Sequence, residues 1–277
     1  RQSDSQSFFK KGLAVGLTLA GFGGSALITG KLASVLIPSV GLSNTFLYFG
    51  IAFGIILVVL SLPFKFPATG WFPAGWKSAA GAVVANDFTP GEMVKTSTFW
   101  GLFFCFLIGS IAGLMAIGIS KPVGKEIINI LDATAATLVG VFAIFNALGR
   151  PLFGFLTDKI APRNATILNL ILILVVSVIM IVAKAGDTLL YTLSFIGFWL
   201  CLGGWLAIAP TATATFFGMK NYARNYGVVF FAYGVGAIIG GIISGQAKDV
   251  FGTYTYAFYP TAVLAVVGMV MAFVLLK

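Results

Sequence analysis

The sequence predicts an all-helical integral membrane protein with eight spans, and three observations carry that expectation. Hydrophobic residues make up 59% of the chain and charged residues 9%, with a mean hydropathy of +1.02, well outside the range of soluble domains. The apolar residues gather in eight runs, each close to the roughly 20 residues a helix needs to cross a bilayer. Each run is also about twice as long as a tilted barrel strand and lacks strict alternation, which excludes a β-barrel reading.

Taken in order, Gly12 to Ile37 is glycine-rich and carries Lys31, and Leu42 to Leu62 follows without a charge. A long polar connection rich in Pro, Gly and Trp then leads to Phe99 to Ile119. Ala133 to Leu156 holds Arg150, and Ala165 to Ala183, Leu189 to Pro210, Tyr226 to Ala247 and Tyr254 to Leu276 hold no charge at all.

The net charge of +9 does not indicate nucleic acid, because the basic residues are scattered over short loops and form no stripe. They report topology instead. Arg1, Lys10, Lys11, Lys65, Lys77, Lys95, Lys159, Arg163, Lys220, Arg224 and Lys277 fall on one side, against Lys121, Lys125, Lys184 and Lys248 on the other. The positive-inside rule makes the first side cytoplasmic, so both ends of this chain are expected there. Residues 1–11 are polar and lead straight into a helix, unlike a cleavable signal peptide.

Histidine is absent, and Cys105 and Cys201 lie within apolar runs, which excludes haem or histidine-based metal chemistry and leaves no disulfide or zinc site. No cofactor is expected. Without paired buried carboxylates, or a Cys or Ser with a base nearby in sequence, the chain does not read as an enzyme.

Arg150 is the residue that most needs a reason. A guanidinium at membrane depth costs about 2.5–3.5 kcal/mol on insertion scales, and intramembrane charge is functional by default. Its planar fork matches a carboxylate, so an anionic substrate in a watery cavity is the leading reading. The alternative is a structural arginine tied to neighbouring carbonyls or snorkelling to the interface. Asn146 lies one turn earlier on the same helical face. It is placed either to orient the guanidinium, to donate to a substrate, or to bond a neighbouring helix.

An internal repeat sets the organisation. Residues 20–26 (Ala-Gly-Phe-Gly-Gly-Ser-Ala) align with residues 231–237 (Phe-Ala-Tyr-Gly-Val-Gly-Ala), and the same offset of 211 pairs Gly41 with Gly252 and Tyr48 with Tyr259. If the first helix pair corresponds to the last, the repeating unit is six helices and twelve are expected in all, with four before Arg1. Residues 1–63 are then the last two helices of a first bundle, 64–98 a cytoplasmic linker, and 99–277 a second six-helix bundle.

Parallel six-helix repeats are the plan of the major facilitator superfamily, which the chain resembles in a second way. Gly154, Asp158, Lys159 and Arg163 match that superfamily's cytoplasmic motif, with Ala161 in place of its second glycine. The resemblance implies a latch whose aspartate faces a helix N-terminus of the other bundle, and Arg224 is grouped with it. A closer resemblance is to the oxalate/formate antiporter family and its monocarboxylate-transporter-like neighbours. It is carried by Phe88 to Trp100, Asn146 to Gly154, Tyr222 to Gly227, and Gly12 to Leu27.

That resemblance implies a central cavity in which Arg150 binds a carboxylate. The second cation of oxalate carriers falls on Tyr233. Two helix-ten aromatic positions fall on Leu202 and Leu206, and a helix-eleven tryptophan on Phe230. One cation, a phenol and an apolar wall suit a small monocarboxylate such as lactate, pyruvate or acetate, since a dicarboxylate would bury one charge without a partner. The aspartate that proton-coupled animal monocarboxylate carriers place one turn before the arginine is Asn146 here, so a coupled proton must use the substrate's own carboxylate or a group elsewhere. The expected function is secondary active transport of small monocarboxylates by alternating access, proton-coupled, by a monomer in a prokaryotic inner membrane. An oxalate/formate-type anion exchanger is the alternative, and a non-transporting anion sensor or scaffold is the alternative of another class.

Overall fold

The structure is a computed structural model that describes residues 11–63 and 87–276. Every regular element in those residues is helical: α1 (Lys11–Val40), α2 (Leu42–Ser61), α3 (Pro90–Met93), α4 (Ser97–Glu126), α5 (Asp132–Val182), α6 (Thr188–Phe217), α7 (Tyr222–Phe251), a 3-10 turn (Tyr254–Ala257) and α8 (Phe258–Leu275). Six of them, among the described residues, are long and apolar enough to cross a membrane. With 51 residues, α5 is about 77 Å long at a rise of about 1.5 Å per residue. That is more than twice the hydrocarbon core of about 30 Å, so it supplies two spans. Several helices outrun the apolar runs, as α4 does to Glu126 and α6 to Phe217, because hydropathy sees only the part in lipid.

The fourth and fifth runs are joined differently from expectation. No loop separates them; α5 is interrupted at one residue, Ala161, with φ 68° and ψ 155°. The cause is local. A proline disfavours helical backbone at the residue before it and is at home at the start of a helix, and Pro162 does both here. The conformation forced on Ala161 belongs to a region essentially reserved for glycine, at a cost on the order of 1–3 kcal/mol. Ala161→Gly is therefore expected to stabilise the protein by about 1 kcal/mol, the relief being partly offset by the greater freedom of an unfolded glycine. A rise in detergent melting temperature checks it; a fall would mean that the bend is not strained.

The chain divides into two compact units, Arg1–Gly24 with Ala85–Lys277, and Ser25–Val84. In the smaller one the rest of α1 meets α2 at Gly41, whose φ is 81°. Its repeat counterpart Gly252 ends α7 at φ 74° in the left-handed region. The side chains of residues 20–24, most of Phe64 to Thr98, and Arg1, Lys10, Lys65, Lys77 and Lys277 lie outside what the structure describes.

Residues 87–93 are shaped by capping. Thr89 and Glu92 form a capping box around Pro90, and donation from the Thr89 backbone and then its hydroxyl holds the Glu92 carboxyl below its usual range. Just before it, Phe88 is pinned to the α6–α7 turn. Its N–H donates to the Phe217 carbonyl at 3.1 Å, and its own carbonyl accepts from Asn225 Nδ2 at 2.9 Å and Asn221 Nδ2 at 3.1 Å. Asp87 accepts from the Lys220 N–H at 3.0 Å.

In the larger unit, small residues let the helices close on one another, as usual in membranes. The two arms of α5 flank α6, while α4 packs against α6, α7 and α8. Between them lies an aromatic core in which Phe142 stacks on Phe195 at 5.7 Å and Phe198 on Phe258 at 5.8 Å.

Candidate functional site

The site is built where α5 and α6 approach most closely. A Cβ on Gly149 would fall onto the Leu200 carbonyl, and one on Gly203 onto the Asn146 carbonyl, so the two backbones touch. Beside this contact Asn146 donates from Nδ2 to the Trp199 carbonyl at 3.0 Å, leaving its Oδ1 to accept from Arg150 Nη2 at 3.1 Å. Arg150 Nη1 donates to the Leu19 carbonyl of α1, which comes close because Gly16 sits against the Arg150 backbone. The guanidinium is 1% exposed. In this conformation it is covered and held by main-chain and amide oxygens, so the carbonyl-tied arginine of the alternative reading describes its bonds here.

Tyr233 lies within electrostatic reach of Arg150. Its ring stacks on Phe230 at 5.1 Å, and both face Phe106 of α4 at 6.1 and 6.2 Å. Phe106 stacks in turn on Trp205 at 5.6 Å. Phe230 is 40% exposed and lines, with Tyr233, an apolar groove of about 400 Å³ along α7. A second cavity of about 350 Å³ opens beside Leu19, lined by Ala14, Val15, Thr18, Pro210, Tyr222 and Tyr226.

Leu202 is placed otherwise than expected. It is 1% exposed and fills the hollow left by Gly113, in the seam between α4 and α6 rather than on a cavity wall. Leu206 is also buried in the aromatic core, and neither leucine lines either cavity.

The motif residues lie on two helices, Gly154, Asp158, Lys159 and Arg163 on α5 and Arg224 on α7. Asp158 Oδ2 accepts from the Leu13 N–H at 2.9 Å, in the first turn of α1, where the helix dipole favours negative charge. The Arg163 guanidinium lies 4.6 Å over the Phe273 ring of α8, and Lys159 Nζ 5.9 Å over Phe155. Gly154 is buried, and Arg224 is exposed on the first turn of α7. At the opposite helix ends Asp132 pairs with Lys121 and Lys125 at 2.9 and 2.8 Å. Among the described residues no group of three or more His, Cys, Asp or Glu could hold a metal.

Comparison with known proteins places this architecture. The family description Major Facilitator Superfamily matches residues 117–277. The chain belongs to that superfamily. Within it, the chain is 30% identical over 266 residues to the oxalate:formate antiporter of Oxalobacter formigenes, covering 95% of this chain and 61% of that protein. It is 28% identical over 230 residues to the uncharacterized MFS-type transporter YhjX of Escherichia coli K12, covering 83% and 56%. To monocarboxylate transporter 9 of Rattus norvegicus it is 27% identical over 179 residues, covering 64% and 35%. The chain thus spans about 60% of the length of the first of these superfamily relatives and less of the others.

Sequence reading missed the aromatic row that leads to Tyr233. Tyr222, Tyr226, Phe230 and Tyr233 follow one another along α7 with centroids 5.9, 5.6 and 5.1 Å apart. Their spacing of four, four and three residues was the available signal, since it puts all four on one helical face. Leu19 gave no signal, because it acts through its carbonyl.

Proposed function

We propose that the protein is a secondary carrier of small monocarboxylate anions, working by alternating access, with Arg150 as the carboxylate ligand. The observation that carries this is a guanidinium buried at membrane depth, its two terminal nitrogens aimed at the Leu19 carbonyl and the Asn146 amide oxygen. The Leu19 carbonyl is a neutral acceptor on one nitrogen, whereas a carboxylate brings the opposite charge and two oxygens that match the fork, so it can displace that carbonyl. Asn146 orients the fork, and Tyr233 and Phe230 supply a phenol and an apolar face for a short tail. Leu202 and Leu206 act behind them as packing. Membership of a transporter superfamily, and relatives named as carboxylate carriers, support the same reading. The carrier works as a monomer in a prokaryotic inner membrane with both ends of this chain cytoplasmic, and a coupled proton travels with the substrate.

Uptake of radiolabelled L-lactate into proteoliposomes holding the full-length carrier, with and without an inward proton gradient, tests this. Lactate uptake that rises with the gradient is the expected result. Exchange of oxalate for formate without lactate flux would establish the second reading, which the 30% identity to the oxalate:formate antiporter over 95% of the chain favours. Binding without any flux would leave a sensor.

In the same reading Asp158, with Gly154, Lys159, Arg163 and Arg224 around it, latches the cytoplasmic side shut. Asp158→Asn keeps an acceptor for the Leu13 N–H but removes the charge, a loss of about 0.3–1 kcal/mol at a helix N-terminus. The population open to the cytoplasm should rise about two- to fivefold. Thiol labelling of a cysteine at Thr18, in a background without Cys105 and Cys201, reads this out, and unchanged labelling counts against the latch.

A further inference from the structure

We infer that Trp199 and Ser120 are positioning residues for the substrate-binding guanidinium, acting through a buried chain of hydrogen bonds that joins three spans. This rests on the reading of Arg150 as the carboxylate ligand. From Arg150 the chain passes to Asn146 Oδ1 at 3.1 Å, and from Asn146 Nδ2 to the Trp199 carbonyl at 3.0 Å. The Trp199 indole N–H donates to Ser120 Oγ at 3.1 Å, and the Ser120 carbonyl accepts from the Tyr191 hydroxyl at 2.8 Å. Ser120 Oγ gives its own proton to the Ala116 carbonyl, which leaves a lone pair for the indole. Every side chain in the series is buried.

The chain has a direction, and the direction matters. An amide carries an acceptor on one side and donors on the other. With the Trp199 carbonyl engaging Nδ2, Asn146 must turn its oxygen toward Arg150. Flipped, it would set its NH₂ against a guanidinium and its oxygen against a carbonyl, two repulsive contacts in a low-dielectric interior. The carbonyl can do this only while its turn of α6 stays fixed. One bond to α4 fixes that turn directly, the indole N–H to the Ser120 hydroxyl, and a second, from the Tyr191 hydroxyl about two turns earlier in α6 to the Ser120 carbonyl, holds the two helices in register. Ser120 thus anchors the turn, the turn sets the amide, and the amide sets the fork.

The test uses the full-length carrier in proteoliposomes with labelled L-lactate, acetate, formate and oxalate, so that whichever anion the wild type carries reports the effect. Trp199→Phe removes only the indole N–H and keeps the ring. Ser120→Ala removes only the hydroxyl. Each is expected to raise the half-saturation concentration about tenfold with the maximal rate within about twofold. Because the two side chains share one bond, the double variant should be no worse than either single one. If Ser120→Ala fails to fold, Trp199→Phe alone decides through its half-saturation value. An unchanged half-saturation concentration, a loss confined to the maximal rate, or additive effects in the double variant would overturn the inference. Arg150→Lys is run alongside: full activity there sinks the role of Arg150 itself, whereas its inactivity beside normal Trp199 and Ser120 variants sinks only the brace.

Discussion

Arg150→Lys and Arg150→Ala should both abolish carboxylate transport, by about 100-fold or more, while leaving a folded protein in the membrane. The fold survives because the arginine is not a net source of stability. Its charge at membrane depth costs about 2.5–3.5 kcal/mol, which alanine recovers in part, against the bonds to Leu19 and Asn146 that alanine forfeits. Transport does not survive, because on this reading the two charge-assisted bonds to the carboxylate, worth about 1.5–3 kcal/mol each, go with the fork. Lysine is the sharper variant. It keeps the charge but offers a compact ammonium on a flexible stem, which cannot hold Asn146 and a carboxylate in one plane as the fork does. Uptake above a tenth of wild type in a well-expressed Arg150→Ala protein would end the proposal.

What the sequence could say about this site follows from the kind of signal each residue sends. Arg150 was visible because a charge in an apolar run stands out whatever its neighbours are. The helical, membrane-crossing character of the chain was visible for the same reason, since apolar length is a property of sequence alone. Ala161 was visible as a departure from a motif, and the structure supplies the reason for the motif: the backbone bends there at positive φ, where glycine belongs. The packing of Leu202 against α4 was not legible because α6 is apolar on every side, and a helix without a polar face carries no periodicity to say which side meets α4. The link from Trp199 to Ser120 joins residues 79 apart, and the Leu19 bond to Arg150 uses a carbonyl that every residue has. Neither leaves a trace in residue type.

Gly149→Ala should be among the most damaging single methyl additions at the described glycines. The added Cβ would overlap the Leu200 carbonyl oxygen and lie 3.0 Å from its carbon and 3.1 Å from the Gly204 nitrogen. All of these are backbone atoms of a continuous helix, so no side chain can swing aside and the helices must part. Overpacking of this kind costs about 1–3 kcal/mol. Here the loss is compounded, because Asn146 bonds to the Trp199 carbonyl one residue away from the contact, and a shift of α6 withdraws that carbonyl. Melting temperature in detergent and transport should fall together, transport by more than tenfold. Gly241→Ala is the control, with nothing within 4 Å of the added carbon, and should match wild type in both. If Gly149→Ala melts and transports like that control, α5 and α6 do not touch through their backbones, and the geometry that holds Asn146 and Arg150 in place is wrong at its root.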